Sequence, residues 1–276
     1  HSLVGSEMCI RDSYMGLARG HCTDLKQILT EIPETPSGCQ WGVFLRNHDE
    51  LTLEMVTPDE REFMWDFYAP DLRMRKNDGI RRRLAPLVEG DRRRIELLHG
   101  LLLALPGSPV LYYGDEIGMG DEYLLHDRDG VRTPMQWDSG PGAGFSTADP
   151  GDFYLPTVTD PAYSPDKVNV AAQQDDPKSL LCWLRDLIAV RRTRPEMGTG
   201  TFEVVEAGNE AVFAFLRENG EHSTLVLANF SATAERVDIG ETVADRTLTD
   251  IITGSIVDSS SAAVLDPHAF RWLSLG

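Results

Sequence analysis

Residues 40–50 read Gln40-Trp41-Gly42-Val43-Phe44-Leu45-Arg46-Asn47-His48-Asp49-Glu50, and the reading of this stretch decides the fold. Its first half, Gln40 to Leu45, is a short apolar run of the kind that a buried parallel-sheet strand uses. Its second half is a polar cluster at the place where such a strand would end. The arrangement recurs downstream, where Pro109-Val110-Leu111-Tyr112-Tyr113 reads as a second buried strand ending in Gly114-Asp115-Glu116. Two helices are predicted in between. Thr57 as N-cap, Pro58 at the first helical position and Glu60 closing a capping box start one that ends before Pro70. Asp91 caps the other; Ile95, Leu98, Leu102 and Leu105 form its apolar face, and Pro106-Gly107 stops it. Strand, helices, strand is the parallel crossover pattern of α/β folds.

Outward from this unit the character changes twice. Residues 118–176 lack periodicity and are rich in Gly, Pro and Asp; loops of this length in a compact protein are usually functional. A helix then starts at Asp176-Pro177, lines one face with Leu180, Leu184, Leu187 and Ile188, and ends by Pro195. After about Gly198 the pattern is all-β. Ala211–Leu216 and Ser223–Asn229 are strand-like and joined across Asn219-Gly220, a strong hairpin signal, and Phe270–Leu275 is a closing strand. Residues 199–276 hold 12 acidic and 4 basic side chains, a net of −8, which marks a separate acidic β domain.

Composition narrows the function classes. With 276 residues the chain makes one large domain or two ordinary ones. A hydrophobic content of 41% supports a buried core. Acidic residues outnumber basic ones 44 to 26, for a net charge of −18, which argues against a general nucleic-acid binder. One basic island exists, with 9 basic and 3 acidic residues between Arg73 and Arg94; lacking interleaved aromatics, it is expected to be a solvated helix face and loop. The longest apolar run, Leu97 to Leu105, is far short of the ~18 residues of a membrane span. Four cysteines without close pairing make no disulfide scaffold.

The chemistry is concentrated at the strand ends, where β/α barrels build their sites. A carboxylate beside an imidazole, as in His48-Asp49, can grip vicinal hydroxyls, and a carboxylate can stabilise a developing cation. Both suit glycoside chemistry through an oxocarbenium-like transition state. The same pair can equally serve a structural turn. Elsewhere, Asp127-Arg128-Asp129-Gly130 hints at a calcium loop, but Leu125 stands at the first ligand position and no Glu closes it. Cys182 falls on an apolar helix face and is a core residue. Ser259-Ser260-Ser261 is a loop with no partner histidine.

Three segments together carry a resemblance. Arg46-Asn47-His48-Asp49-Glu50 after its strand resembles the seventh-strand motif of the α-amylase superfamily. Residues 106–119, Pro-Gly-Ser-Pro-Val-Leu-Tyr-Tyr-Gly-Asp-Glu-Ile-Gly-Met, resemble its eighth strand. Gly130-Val131-Arg132-Thr133-Pro134-Met135-Gln136-Trp137 resembles the loop of its α-glucosidase-like branch. Within that branch, residues 48–57, 79–87 and 169–174 are most similar to the trehalose synthase family of maltose α-D-glucosyltransferases. The resemblance covers about Tyr14 to the C-terminus. It implies α/β plus all-β architecture: an incomplete (β/α)8 barrel, contributing its last two strands and their helices over residues 14–198, followed by a C-terminal antiparallel β-sandwich over residues 199–276. Residues 1–13, without helical period or capping logic, resemble a translated sequencing-adapter artefact and are expected to be non-native.

The resemblance implies roles residue by residue. Asp49 matches the transition-state-stabilising aspartate and His48 the substrate-binding histidine beside it. Glu50 resembles an acid gating the acceptor side, and Arg132 an arginine that contacts bound glucose. Asp115 and Glu116 are expected to satisfy backbone and buried arginines beneath the site. The family's nucleophilic aspartate and acid/base glutamate belong to its fourth and fifth strands; no strand ending in Arg-x-Asp precedes Gln40. The implied reaction is interconversion of maltose and trehalose, with glucose as the transferred and leaving sugar, in a cytoplasmic enzyme. This chain by itself is expected to be inactive. A hydrolytic α-glucosidase acting on small α-glucosides, and a non-catalytic carbohydrate-binding module, are the alternatives. No redox or nucleotide cofactor is implied, and no nucleic-acid or membrane partner. The family often carries a structural calcium, but this segment shows no ligand set for one. Homo-oligomerisation stays open.

Overall fold

The computed structural model describes residues 4–31, 35–36, 38–243, 246–258 and 264–276, with 4–10 and 241 described by backbone alone. The serine run at 259–261 lies outside the described residues. The chain opens on helices α1 (Val4–Arg19) and α2 (Thr23–Glu31). That α1 begins at Val4 corrects the expectation of an aperiodic start. Burial supports the helix where pattern does not: Tyr14, Met15 and Leu17 are buried, and the Arg11 guanidinium donates twice to Asp12 Oδ1, at 3.0 and 3.2 Å, with both side chains buried.

Strand β1 (Gly42–Phe44) follows, then β2 (Leu51–Thr52) and α3 (Pro58–Tyr68). Helix α3 has the capping box its sequence predicts: Thr57 Oγ1 accepts from the Glu60 amide, and Glu60 accepts from the Thr57 amide at 3.0 Å. Next come β3 (Arg75–Lys76), β4 (Gly79–Ile80), α4 (Leu84–Leu87), α5 (Arg92–Ala104) and β5 (Ser108–Val110). Asp91 caps α5 by accepting from the Arg93 amide at 2.9 Å. The single apolar face expected of α5 is corrected for its C-terminal part: Leu97, Leu98, His99, Leu101, Leu102 and Leu103 are all buried, so the helix is enclosed on all sides from Leu97 on. Both strands are shorter than their sequence runs, and β1 pairs with β5. Val43 is buried as expected, but Val110 is 53% exposed. With β1 its one strand partner among the described residues, β5 leaves apolar side chains uncovered.

After β5, residues 111–169 run as turns and short 3-10 segments, in line with the absence of periodicity. Helices α6 (Val170–Gln173), α7 (Leu180–Arg192) and α8 (Pro195–Thr199) follow. Cys182 is buried in α7 with Leu184 and Leu187. The remaining strands are β6 (Thr201–Val205), β7 (Val212–Glu218), β8 (Ser223–Asn229), β9 (Glu235–Arg236), β10 (Leu248–Asp250), β11 (Ile256–Val257), β12 (Val264–Leu265) and β13 (Phe270–Leu275), with a one-turn helix α9 (Gly240–Val243). Six of them form an antiparallel sheet in the order β11-β10-β13-β8-β7-β6, and β9 pairs with β12. The predicted β7–β8 hairpin turns at Asn219-Gly220: Asn219 Oδ1 accepts from the His222 amide at 2.8 Å, and Gly220 takes φ +88°.

By compactness the chain divides into two units, residues 1–43, 96–110 and 187–276 in one, and 44–95 and 111–186 in the other. In the first unit, β7 and β13 hold the C-terminal part of α5. Buried Arg217 of β7 donates to Ala104 O at 2.7 Å, satisfying a carbonyl at the C-terminus of α5. The Phe270 ring lies over Gly100, where a Cβ would approach it to 2.6 Å.

The second unit holds the basic island; Arg73 and Arg93 are exposed, as expected of a solvated face, and the expectation is corrected at Arg81–Arg83. Arg83 is fully buried, with its guanidinium 4.8 and 4.6 Å from the ring centres of Tyr112 and Tyr113. Arg82 pairs with buried Asp121 at 2.9 Å. Arg81 donates to the carbonyls of Leu125 (2.8 Å), Asp127 and Tyr123 (3.2 Å). Three consecutive arginines thus serve as staples for the loop at 112–132.

Candidate active site

The polar cluster after β1 is folded by its own side chains. Asn47 Oδ1 accepts from the Asp49 amide at 2.8 Å, closing an Asx turn. Arg46 is buried and donates to Asp49 O at 2.9 Å and to Arg82 O at 2.7 Å. These contacts present His48 and Asp49 outward, with side chains 69% and 42% exposed. Their closest approach, 3.9 Å from Nε2 to Oδ2, is too long for a hydrogen bond. The two side chains are therefore not bonded to each other through these atoms.

The loop carrying Arg132 is brought to this cluster by the end of the second strand. Tyr112 Oη donates to Val131 O at 2.8 Å, and Tyr113 Oη to Thr133 O at 2.7 Å. Arg132 sits between those two anchors, and its Nε donates to His48 O at 2.9 Å. The structure thus unites all four predicted site residues, His48, Asp49, Glu50 and Arg132, within one unit. It adds one that the sequence reading missed. Arg128 donates to Glu50 Oε2 from Nε at 2.7 Å and contacts Asp49 Oδ1 as well. Its one sequence signal is a lone cation between two aspartates just ahead of the Arg132 loop.

Electrostatics follow from these contacts. Burial is the largest single influence and works to raise the Glu50 carboxyl, but the hydrogen bonds it accepts, that from Arg128 foremost and that from Asn77 among them, together outweigh it and hold the group at about 2. The Arg128 guanidinium is held above its ordinary value mainly by its hydrogen bond with Glu50. Beneath the site, Asp115 is buried. Loss of solvent pushes it up to about 7, against the opposing pull of Arg83 and Arg46. Asp115 thus lies among buried arginines, as expected, while Glu116 faces a cavity.

That cavity, about 730 Å³, is lined by Tyr113, Glu116, Arg132 and Thr133 and by Trp137, Phe145, Phe153 and Tyr154. Aromatic faces with a few charged groups at the edge suit the alternating C–H faces and hydroxyls of a pyranose. The Asp127 loop does not fit a calcium ion: its carboxylate already pairs with Lys76 at 2.7 Å and Arg128 at 3.1 Å. Among the described residues no group of three or more His, Cys, Asp or Glu side chains could hold a metal. No helix among them is long and apolar enough to cross a membrane.

Comparison with known proteins places this geometry. The model of the α-amylase catalytic domain matches residues 77–200, and that of the maltogenic amylase C-terminal domain matches residues 202–272. A trehalose synthase of Pimelobacter sp. is 47% identical over 271 residues, covering 95% of this chain and 47% of that protein. A "trehalose synthase/amylase" of Mycobacterium tuberculosis is 54% identical over 205 residues, covering 74% of this chain and 34% of that protein. The chain therefore spans about half or less of the length of these relatives. In fold it resembles the crystal structure of an α-amylase from H. orenii, with TM-score 0.67 and 20% identity over 97% of this chain and 48% of that one. With a strand-end His-Asp-Glu cluster, an arginine loop tied to it by two tyrosines and an antiparallel β domain, the chain is a homologue of trehalose synthases, and its two matched parts are those of the α-amylase catalytic domain and the maltogenic amylase C-terminal domain.

Proposed function

We propose that the chain is the C-terminal part of a cytoplasmic enzyme that interconverts maltose and trehalose by intramolecular glucosyl transfer. The observation that carries this reading is the 47% identity, over nearly the whole chain, to a protein named trehalose synthase. In this reading residues 14–198 complete a (β/α)8 barrel whose earlier strands lie upstream, and residues 199–276 form the terminal β-sandwich. The exposed Val110 and Tyr113 then belong to surfaces that the upstream strands cover.

The chemistry divides accordingly. An upstream carboxylate attacks the anomeric carbon of maltose while an upstream acid gives its proton to the departing oxygen. The glucose released turns within the closed site and attacks the glucosyl–enzyme through its anomeric hydroxyl, returning a proton to the same base. Asp49 stabilises the oxocarbenium-like charge of both steps and, with His48, holds hydroxyls of the transferred ring. Arg132 fixes that ring from the loop side, and Glu50 with Arg128 shapes the acceptor side. Residues 118–176 wall the site, since water admitted to the intermediate would yield glucose instead.

A second reading, a hydrolytic α-glucosidase, draws support from a probable oligo-1,6-glucosidase of Bacillus subtilis, 25% identical over 75% of this chain. The test is the Asp49→Asn variant of the longer protein on maltose. Loss of a charge acting mainly in the transition state should lower turnover by ~10²–10³ with the fold intact. Turnover near that of the wild type would refute the assignment.

A further inference from the structure

Asp49 and Glu50 are consecutive carboxylates that share one cation, and they share it unequally. Glu50 takes the fork of Arg128: Nε donates to Oε2 at 2.7 Å and Nη2 to Oε1 at 3.2 Å. Asn77 Nδ2 donates to the same Oε1 at 2.8 Å. Asp49 Oδ1 meets Nε, which Glu50 already engages, but makes no hydrogen bond there. The guanidinium is tied on its far side, where Nη1 meets Asp127 Oδ1 at 3.1 Å and Asp127 in turn meets Lys76. The Glu50 side chain is 13% exposed and that of Asp49 42%. Asp49 can thus leave Arg128 without breaking a hydrogen bond from it, whereas removing Glu50 breaks a bidentate pair.

We propose that Arg128 is a positioning residue: anchored on Glu50, it parks the Asp49 carboxylate and releases it to the sugar, so that Glu50 acts on the acceptor side through Arg128 instead of touching substrate. Two neighbouring carboxylates without this cation would repel, and one would take up a proton more readily. With it, the two acids share one cation, and the one that the reaction needs is the one more loosely held. The inference rests on Asp49 as the transition-state carboxylate; the unequal anchoring can be measured without any turnover.

The test uses the full 276-residue chain labelled with ¹⁵N at arginine. Arg128→Lys identifies the Arg128 Nε–H resonance by its disappearance. A charge-assisted bond should place that proton downfield and slow its exchange. The resonance should persist in Asp49→Asn and vanish in Glu50→Gln. In parallel, the Glu50 carboxyl carbon should stay in its ionised position down to about pH 3 in the wild type. In Arg128→Ala it should titrate at the ordinary glutamate value, roughly 4, and in Arg128→Lys, which keeps charge without the fork, between the two. Loss of the resonance in Asp49→Asn, its survival in Glu50→Gln, or a Glu50 titration unmoved in both Arg128 variants would overturn the proposal. Failure of trehalose formation in the longer protein would leave these resonances unchanged and so reads separately.

Discussion

Asp115 shows how a single residue beneath the site couples it to pH. Its carboxyl is buried, and desolvation lifts it from 3.8 to about 7 despite Arg83 and Arg46. Between these values the folded chain holds a proton that the unfolded chain has lost. The stability it contributes is therefore fully present below pH 3.8 and is lost as the pH rises through about 7. A melting temperature that falls between pH 5.5 and 8 in the wild type, and a smaller fall in Asp115→Asn, is the expected result; parallel curves would reject it. At Arg132 the expectation is kinetic. Because its one hydrogen bond to the cluster is to the His48 carbonyl at an exposed site, Arg132→Ala in the longer protein should raise KM or lower kcat without lowering Tm. A large loss of Tm with normal kinetics would make it a structural partner instead.

At the scale of elements, the loop at 122–132 has almost no regular structure, so its shape comes from side chains outside it. Arg81 donates to three of its carbonyls. Leaving such acceptors unpaired typically costs about 1–3 kcal/mol. Arg81→Ala should therefore destabilise the chain by that order and speed amide exchange in 122–132, while α3, capped by its own Thr57–Glu60 box, stays protected. Uniform exchange in both would show that Arg81 is no staple. The contrast also explains what was legible in the sequence. Local signals identified α3, the Asn219-Gly220 turn and the Asp91 cap, because the groups that form them are neighbours in sequence. The staples were not legible, because Arg81 and Tyr123 are far apart along the chain and a run of arginines reads as a charged surface. Helix α1 was missed for a similar reason: buried Tyr14, Met15 and Leu17 make it, without any amphipathic repeat.

Across the whole molecule, the site is built from strand-end and loop residues that the sequence separates by more than 80 positions, from His48 to Arg132. His48, Asp49, Glu50 and Arg132 were recognisable only through motif resemblance, since spacing alone leaves a His-Asp pair ambiguous. Arg128 escaped because its significance lies in the two acids it meets, which no local pattern announces. The exposed face of β5 and the apolar cavity beside Arg132 fit a chain that spans about half of its relatives. The measurement that tests the central claim most directly is product analysis on maltose, by NMR of the anomeric protons, run on the longer protein and on the 276 residues alone. The account predicts trehalose as the main new sugar from the longer protein and no product from the chain alone. Glucose as the sole product of the longer protein, or trehalose or glucose from the chain alone above a buffer control, would contradict it.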